Sequence, residues 1–133
     1  MKATTRASEN RPRLLLIEDE PAVAAFIYTA LERKGYEVVP AASADEGLHT
    51  LAEHEFDGVI SDFRTPGRVT GADVHRWLAK NRPELSRRLI FITGDIASDD
   101  TVFYLAQTGT PCIEKPFRLQ QLVDAVEQTL AKQ

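Results

Sequence analysis

Five short apolar runs recur along this chain, each followed by a stretch of helical period, and that alternation constrains the fold more than any other feature. The runs are LLLI (14–17), YEVV (36–39), FDGVI (56–60), LIFI (89–92) and PCI (111–113). Three are nearly unbroken, as strands buried on both faces should be. The first helical stretch spaces Val23, Ile27 and Leu31 four apart, with Pro21 suited to its first turn and Gly35 to its exit. In the second, Ser43 and Glu46 stand three apart in a capping-box pattern, ahead of Leu48 and Leu51. The third follows Thr70, with Asp73 three later, and carries Val74, Trp77 and Leu78; Pro83 lies just past its end. The fourth follows Ser98, stops near Gly109, and is expected to turn Val102, Leu105 and Ala106 inward. The last carries a stripe of Leu119, Leu122, Val123, Val126 and Leu130.

Strand and helix in alternation, five times over, imply a parallel sheet with helices on both faces, joined by right-handed crossovers. The second and fifth runs are the least purely apolar, which suits the sheet edges. The expected fold is a single doubly wound (βα)5 α/β domain with strand order 2-1-3-4-5, as in flavodoxin-like sheets. The 133 residues suffice for one such domain, over 13–133. Residues 1–12, MKATTRASENRP, hold no apolar signal core and read as a disordered tail or linker.

Composition removes several function classes. A net charge of −4 argues against a phosphate-backbone binder, so no nucleic acid is expected. The single cysteine, Cys112, excludes an internal disulfide and points to a reduced, cytoplasmic setting. No apolar stretch approaches the ~18 residues of a membrane span, so no membrane is expected either.

The chemistry lies where the runs end. Ligands of open parallel sheets bind beyond the carboxyl ends of the strands. After run 1 come Glu18, Asp19 and Glu20; after run 3, Asp62; after run 4, Thr93; after run 5, Glu114 and Lys115. Run 2 ends in Pro40, Ala41 and Ala42, without reactive groups. Glu18, Asp19 and Asp62 would share one cleft. Two like charges ~4 Å apart cost about 4 kcal/mol at an effective dielectric of about 20. Such a cluster takes up protons or a cation. All-oxygen hard ligands favour magnesium, manganese or calcium over zinc. A carboxylate, a metal, an ammonium and a hydroxyl together suit a phosphoryl group, with Asp62, alone on the middle strand, as the attacking group. His49, His54 and His75 share no ligand spacing, and Trp77 is read as core.

Over about residues 12–131, through LLLIEDEP, VISDFRTPG, FITGD and CIEKPF, the sequence resembles the response-regulator receiver domains of two-component signalling. The resemblance implies that Asp62 accepts a phosphoryl group from a phosphohistidine on a histidine kinase or histidine phosphotransfer protein. It implies Mg²⁺ held by Asp19 and Asp62, with Glu18 acting largely through water, and by the backbone carbonyl of Arg64. Thr93 and Lys115 would grip the phosphoryl oxygens, and the Lys115–Pro116 bond would be cis. FITGD and TGTPCIEKPF are more like receivers attached to hybrid sensor kinases. Phosphorylation would shift the face of the fourth helix, fifth strand and fifth helix, where pairing with a second copy is also expected. Such a chain is a signalling phosphoacceptor that catalyses its own phosphorylation and dephosphorylation, not a turnover enzyme.

Three residues depart from the family pattern. Cys112 stands where an aromatic usually swings with Thr93, so Cys112 is a switch position whose coupling could pass to Phe103 or Tyr104. Thr65 stands where methionine is usual, and the loop from Pro66 to Gly71 is one residue longer. A rival reading is therefore a binding module that no longer switches on phosphorylation. Another is a Mg²⁺-dependent phosphohydrolase, disfavoured because Arg64 stands where those sites often carry a second acid.

Overall fold

The computed structural model describes residues 11–64, 69–94 and 99–131. Most of the expected tail, Thr65 and the first part of the lengthened loop lie outside them. Strands β1 (Arg13–Ile17), β2 (Glu37–Ala41), β3 (Gly58–Asp62), β4 (Leu89–Thr93) and β5 (Cys112–Glu114) alternate with helices α1 (Pro21–Arg33), α2 (Ala44–Glu53), α3 (Gly71–Asn81), α4 (Pro83–Ser86), α5 (Asp99–Thr108) and α6 (Leu119–Leu130). All pairings are parallel, in the order β2-β1-β3-β4-β5. The fold class and strand order are those expected from the sequence.

Strand periodicity divides the core in two. Leu14, Leu16, Ile60, Ile90 and Ile92 face α1 and α6, packing with Ile27, Leu31, Leu122, Val123 and Val126. Leu15, Ile17, Val59, Leu89 and Phe91 face the other way, packing with Leu51, Val74, Leu78 and Leu85. Because both faces are covered, β3 and β4 are buried along their whole length, Asp62 and Thr93 included.

Local signals explain most helix ends. Pro21 opens α1, and Gly35 follows it at φ 100°, a left-handed turn that favours glycine. Thr70 and Asp73 form a complete capping box: the Thr70 N–H donates to Asp73 Oδ2 (2.9 Å) and the Asp73 N–H to Thr70 Oγ1 (3.4 Å). At α2 the box is displaced. The Glu46 N–H donates to Ser43 Oγ, but Glu46 Oε1 accepts from the Ala42 N–H, one residue further back than the motif requires.

Two sequence expectations need correction, and one short helix is added to the five expected. Pro83 ends α3 but also starts the one-turn helix α4, a position where its missing N–H costs nothing; Leu85 anchors that turn in the core. On α5, Val102 is 49 % exposed and Ala106 also faces out, while Thr101, Tyr104 and Leu105 turn inward. The helix is rotated because Tyr104 and Leu105 pack on the β4 face beside Phe63 and Phe91. Leu119, at the open end of the α6 stripe, is 37 % exposed.

Leu15→Ala, which empties a fully buried site between β1 and its neighbours, should lower stability by about 2–5 kcal/mol. Val102→Ser should stay within about 0.5 kcal/mol of the parent. Urea unfolding with an unchanged slope measures both.

Candidate functional site

Register assembles the site. Ile17 pairs with Ser61 and Asp62 with Ile92, so Glu18 and Asp62 stand level and Thr93 falls one residue beyond. Thr93 pairs with Glu114, which brings Lys115 next to the same rim; the Lys115 N–H donates to the Thr93 carbonyl at 2.8 Å. Likewise the Glu18 N–H bonds the Ala41 carbonyl and the Phe63 N–H the Ile92 carbonyl, which extends the ladder just past the strand ends. Asp62 is the last residue of β3 rather than a turn residue after it.

Glu18, Asp19 and Asp62 each bring a carboxylate oxygen within 4.8 Å of the others. Glu18 and Asp62 are buried. The Lys115 ammonium faces them: 3.2 Å from Asp62 Oδ2, 3.3 and 3.4 Å from the two Glu18 oxygens, and 3.7 Å from Glu20 Oε1. Glu18 Oε2 also accepts the Glu20 N–H at 3.1 Å. Glu18 Oε1 is buried and accepts no hydrogen bond among the described residues, although Lys115 lies 3.3 Å away. An orphaned buried carboxylate oxygen beside two further carboxylates is a donor set that fits a hard divalent cation.

Titration follows from this geometry. Burial raises the Asp62 pKa; the charge and hydrogen bond of Lys115, with the Arg64 N–H, offset that only in part. Burial also raises Glu18, helped by the Asp62 charge and opposed by the Glu20 N–H and by Lys115. Burial alone would lower Lys115, but Asp62 and Glu18 outweigh it and raise it. The ammonium therefore stays charged at neutral pH, while the carboxylates it faces hold their protons more tightly than free ones. Cys112 is half-buried on β5, its thiol pushed up to about 11 by burial and then by Glu114. The Lys115–Pro116 bond is cis.

Of the residues singled out at the strand exits, Glu18, Asp19, Glu20, Asp62 and Lys115 meet at this rim, and Thr93 reaches its level by register. Two contributors had no role assigned from sequence. Glu20 adds a third carboxylate to the neighbours of Lys115. Gly71 lets α3 begin against the site: a Cβ there would meet Phe63 Cα and O at 2.8 Å and the Asp62 carbonyl at 2.9 Å. A glycine directly after a capping threonine was the available signal.

A doubly wound parallel sheet with an acidic triad and a lysine at its carboxyl rim is the arrangement of a signalling receiver domain. The sequence model of the response regulator receiver domain matches residues 14–127, and the chain belongs to that family of two-component signalling modules. The chain is 37 % identical over 123 residues to the sensor kinase CckA of Brucella abortus, covering 90 % of this chain and 13 % of that protein. It is 26 % identical over 121 residues to the nisin biosynthesis regulatory protein NisR of Lactococcus lactis, covering 91 % and 51 %. It thus spans a small part of the kinase and about half of the regulator. A CheY-like receiver from Methanospirillum hungatei superposes with TM-score 0.82 at 28 % identity, over 91 % of this chain and 94 % of that one. The non-phosphorylated HemR receiver of Leptospira biflexa gives 0.80 at 26 %, over 92 % and 97 %. No described helix is long and apolar enough to cross a membrane.

Two outcomes test the geometry. Gly71→Ala should destabilise by about 1–3 kcal/mol, because the new methyl meets backbone that cannot swing aside; chemical denaturation reads it. A carboxylate whose pKa is raised on folding contributes stability that is present below its unfolded pKa and lost as pH rises through the folded one. In metal-free buffer Asp62→Asn should therefore be more stable than the parent at pH ~7, with the difference shrinking on acidification through pH ~4, the ordinary carboxylate range.

Proposed function

We propose that this receiver is a working phosphoacceptor, with Asp62 taking a phosphoryl group from a phosphohistidine on a histidine kinase or histidine phosphotransfer protein. One observation carries the reading: the Asp62 carboxylate ends the middle strand 3.2 Å from a charged lysine and inside a carboxylate triad. In the step proposed, a carboxylate oxygen of Asp62 bonds to phosphorus as the P–N bond to the donor imidazole breaks, and the imidazole leaves with a proton. Lys115 turns from Asp62 toward the incoming phosphoryl oxygens, and the buried Thr93 hydroxyl supplies a donor on the far side. Glu18, Asp19, Asp62 and the Arg64 carbonyl would hold Mg²⁺, with Glu18 acting largely through water. That ion would offset the negative charge that gathers when phosphate meets three carboxylates. Slow hydrolysis of the acyl phosphate would reset the domain.

On this reading the donor docks beside the rim. A groove of about 500 Å³ beside the rim is lined by Glu20, Val23, Phe26, Lys115, Pro116 and Phe117. Phe26 stays 48 % exposed there, with its ring 6.3 Å from that of Phe117. The output face on this reading is α5, β5 and α6, where Val102 and Phe103 are exposed, and a second copy could pair through it. Identity to a sensor kinase over most of the chain favours a receiver borne on a hybrid kinase, working in the cytoplasm, with residues 1–12 leading into it.

Incubation with a small acyl phosphate and Mg²⁺ should give a hydroxylamine-sensitive phosphoryl label. The label should disappear in Asp62→Asn and in excess EDTA. Label that persists on Asp62→Asn overturns the assignment. No label on the parent chain favours a phosphorylation-independent interaction module.

A further inference from the structure

The two residues that follow Asp62 both reach α5. The Phe63 ring lies 5.6 Å from that of Tyr104, and also packs edge-on against Phe91 at 4.9 Å. Arg64 Nη2 donates to Thr101 Oγ1 at 3.3 Å, and Thr101 is fully buried. Tyr104 is itself tied to α3. Its hydroxyl lies 2.7 Å from His75 Nδ1 and 3.3 Å from the Ala72 carbonyl, and the two rings meet edge-on at 5.7 Å. Strand β5 offers no such ring, since it reads Cys-Ile-Glu and the half-buried Cys112 thiol packs in the same cluster as Tyr104.

From this we infer that Tyr104, latched to His75, is the positioning residue through which the state of Asp62 reaches α5 and α3. The inference rests on the phosphoacceptor reading and adds the route by which its output is produced. Three physical points support it. The ring is wedged between Phe63 and His75, so a shift of the backbone after Asp62 cannot leave it in place. The hydroxyl has a strong partner at 2.7 Å and a weaker one at 3.3 Å, which defines one well-held arrangement and a second acceptor to fall back on. His75 is held below the ordinary histidine range, by burial and then by Arg76, so a neutral ring nitrogen is available to accept the hydroxyl proton. Among the described residues, the other groups facing this pair are the Ala72 carbonyl and, on α3, the Asp73 and Arg76 charges, which pair with each other at 2.8 Å.

Coupling between Asp62 and α5 is measured directly. Amide shifts of the full chain are recorded with and without Mg²⁺ and beryllium fluoride, a phosphoryl mimic, in the parent, Tyr104→Phe, His75→Leu, His75→Gln and the Tyr104→Phe/His75→Leu double variant. In the parent, both the rim amides (Phe63, Thr93) and the α5 amides (Leu105 to Thr108) should shift. Tyr104→Phe keeps the ring and loses only the hydroxyl. It should keep the rim shifts but reduce the α5 shifts by about twofold or more. His75→Leu should do the same, His75→Gln, which keeps an acceptor, should restore them, and the double variant should be no worse than either single one. Unchanged α5 shifts in Tyr104→Phe and His75→Leu, with the rim still responding, overturn the latch alone. A parent whose rim does not respond overturns the phosphoacceptor reading, and the latch falls with it.

Discussion

Three carboxylates within 4.8 Å of one another, two of them buried, face the Lys115 ammonium, and the rest of the structure holds that arrangement. It is not self-stabilising. Burial holds protons on Asp62 and Glu18 more tightly than water would, and Lys115 only partly reverses this. The stabilising part of the molecule lies below the rim, where two dry layers of Leu, Ile, Val and Phe cover both faces of the sheet. Stability made there is spent at the strand ends, the usual division of labour in a functional site.

The parallel ladder converts that stability into position. Each strand ends within about one residue of its neighbour's level, so side chains from four loops separated by tens of residues arrive at one height. The same ladder continues for one bond beyond the strands, at Glu18, Phe63 and Lys115, and so fixes the backbone that carries the functional groups. Helix α3 contributes through its first residue. Gly71 has no side chain, and its N–H bonds the Phe63 carbonyl at 2.9 Å, which closes the back of the site. Family membership and the likeness to a sensor kinase and a nisin regulator agree with this construction but do not replace it.

Much of this was legible in the sequence because it rests on local pattern. Unbroken runs such as LIFI (89–92) read as doubly covered strands, and the poorer runs 2 and 5 read as edges. Glu18, Asp19, Asp62, Thr93 and Lys115 were legible as a group because each stands at the end of an apolar run. The features that were not legible depended on rotation and contact. Val102 and Ala106 fit an inward stripe as well as Tyr104 and Leu105 do, and only packing against Phe63 and Phe91 decides between them. His75 carries no motif at all, because its partner, Tyr104, lies on a different helix. Pro83 suits the end of one helix and the beginning of another equally well, and the extra turn α4 forms because Leu85 finds a core to enter.

By itself the sequence determined the order of elements, the two-faced burial of the central strands, and which residues stand at strand exits. Those properties depend on hydrophobic period and on chain position, and both are local. The tertiary structure decided how the exits meet, that Glu18 Oε1 accepts no hydrogen bond among the described residues, how Lys115 is shared among Asp62, Glu18 and Glu20, and which face of α5 meets the site. Those depend on distances of a few ångströms between residues far apart in the chain, and electrostatic and packing energies change steeply over that range.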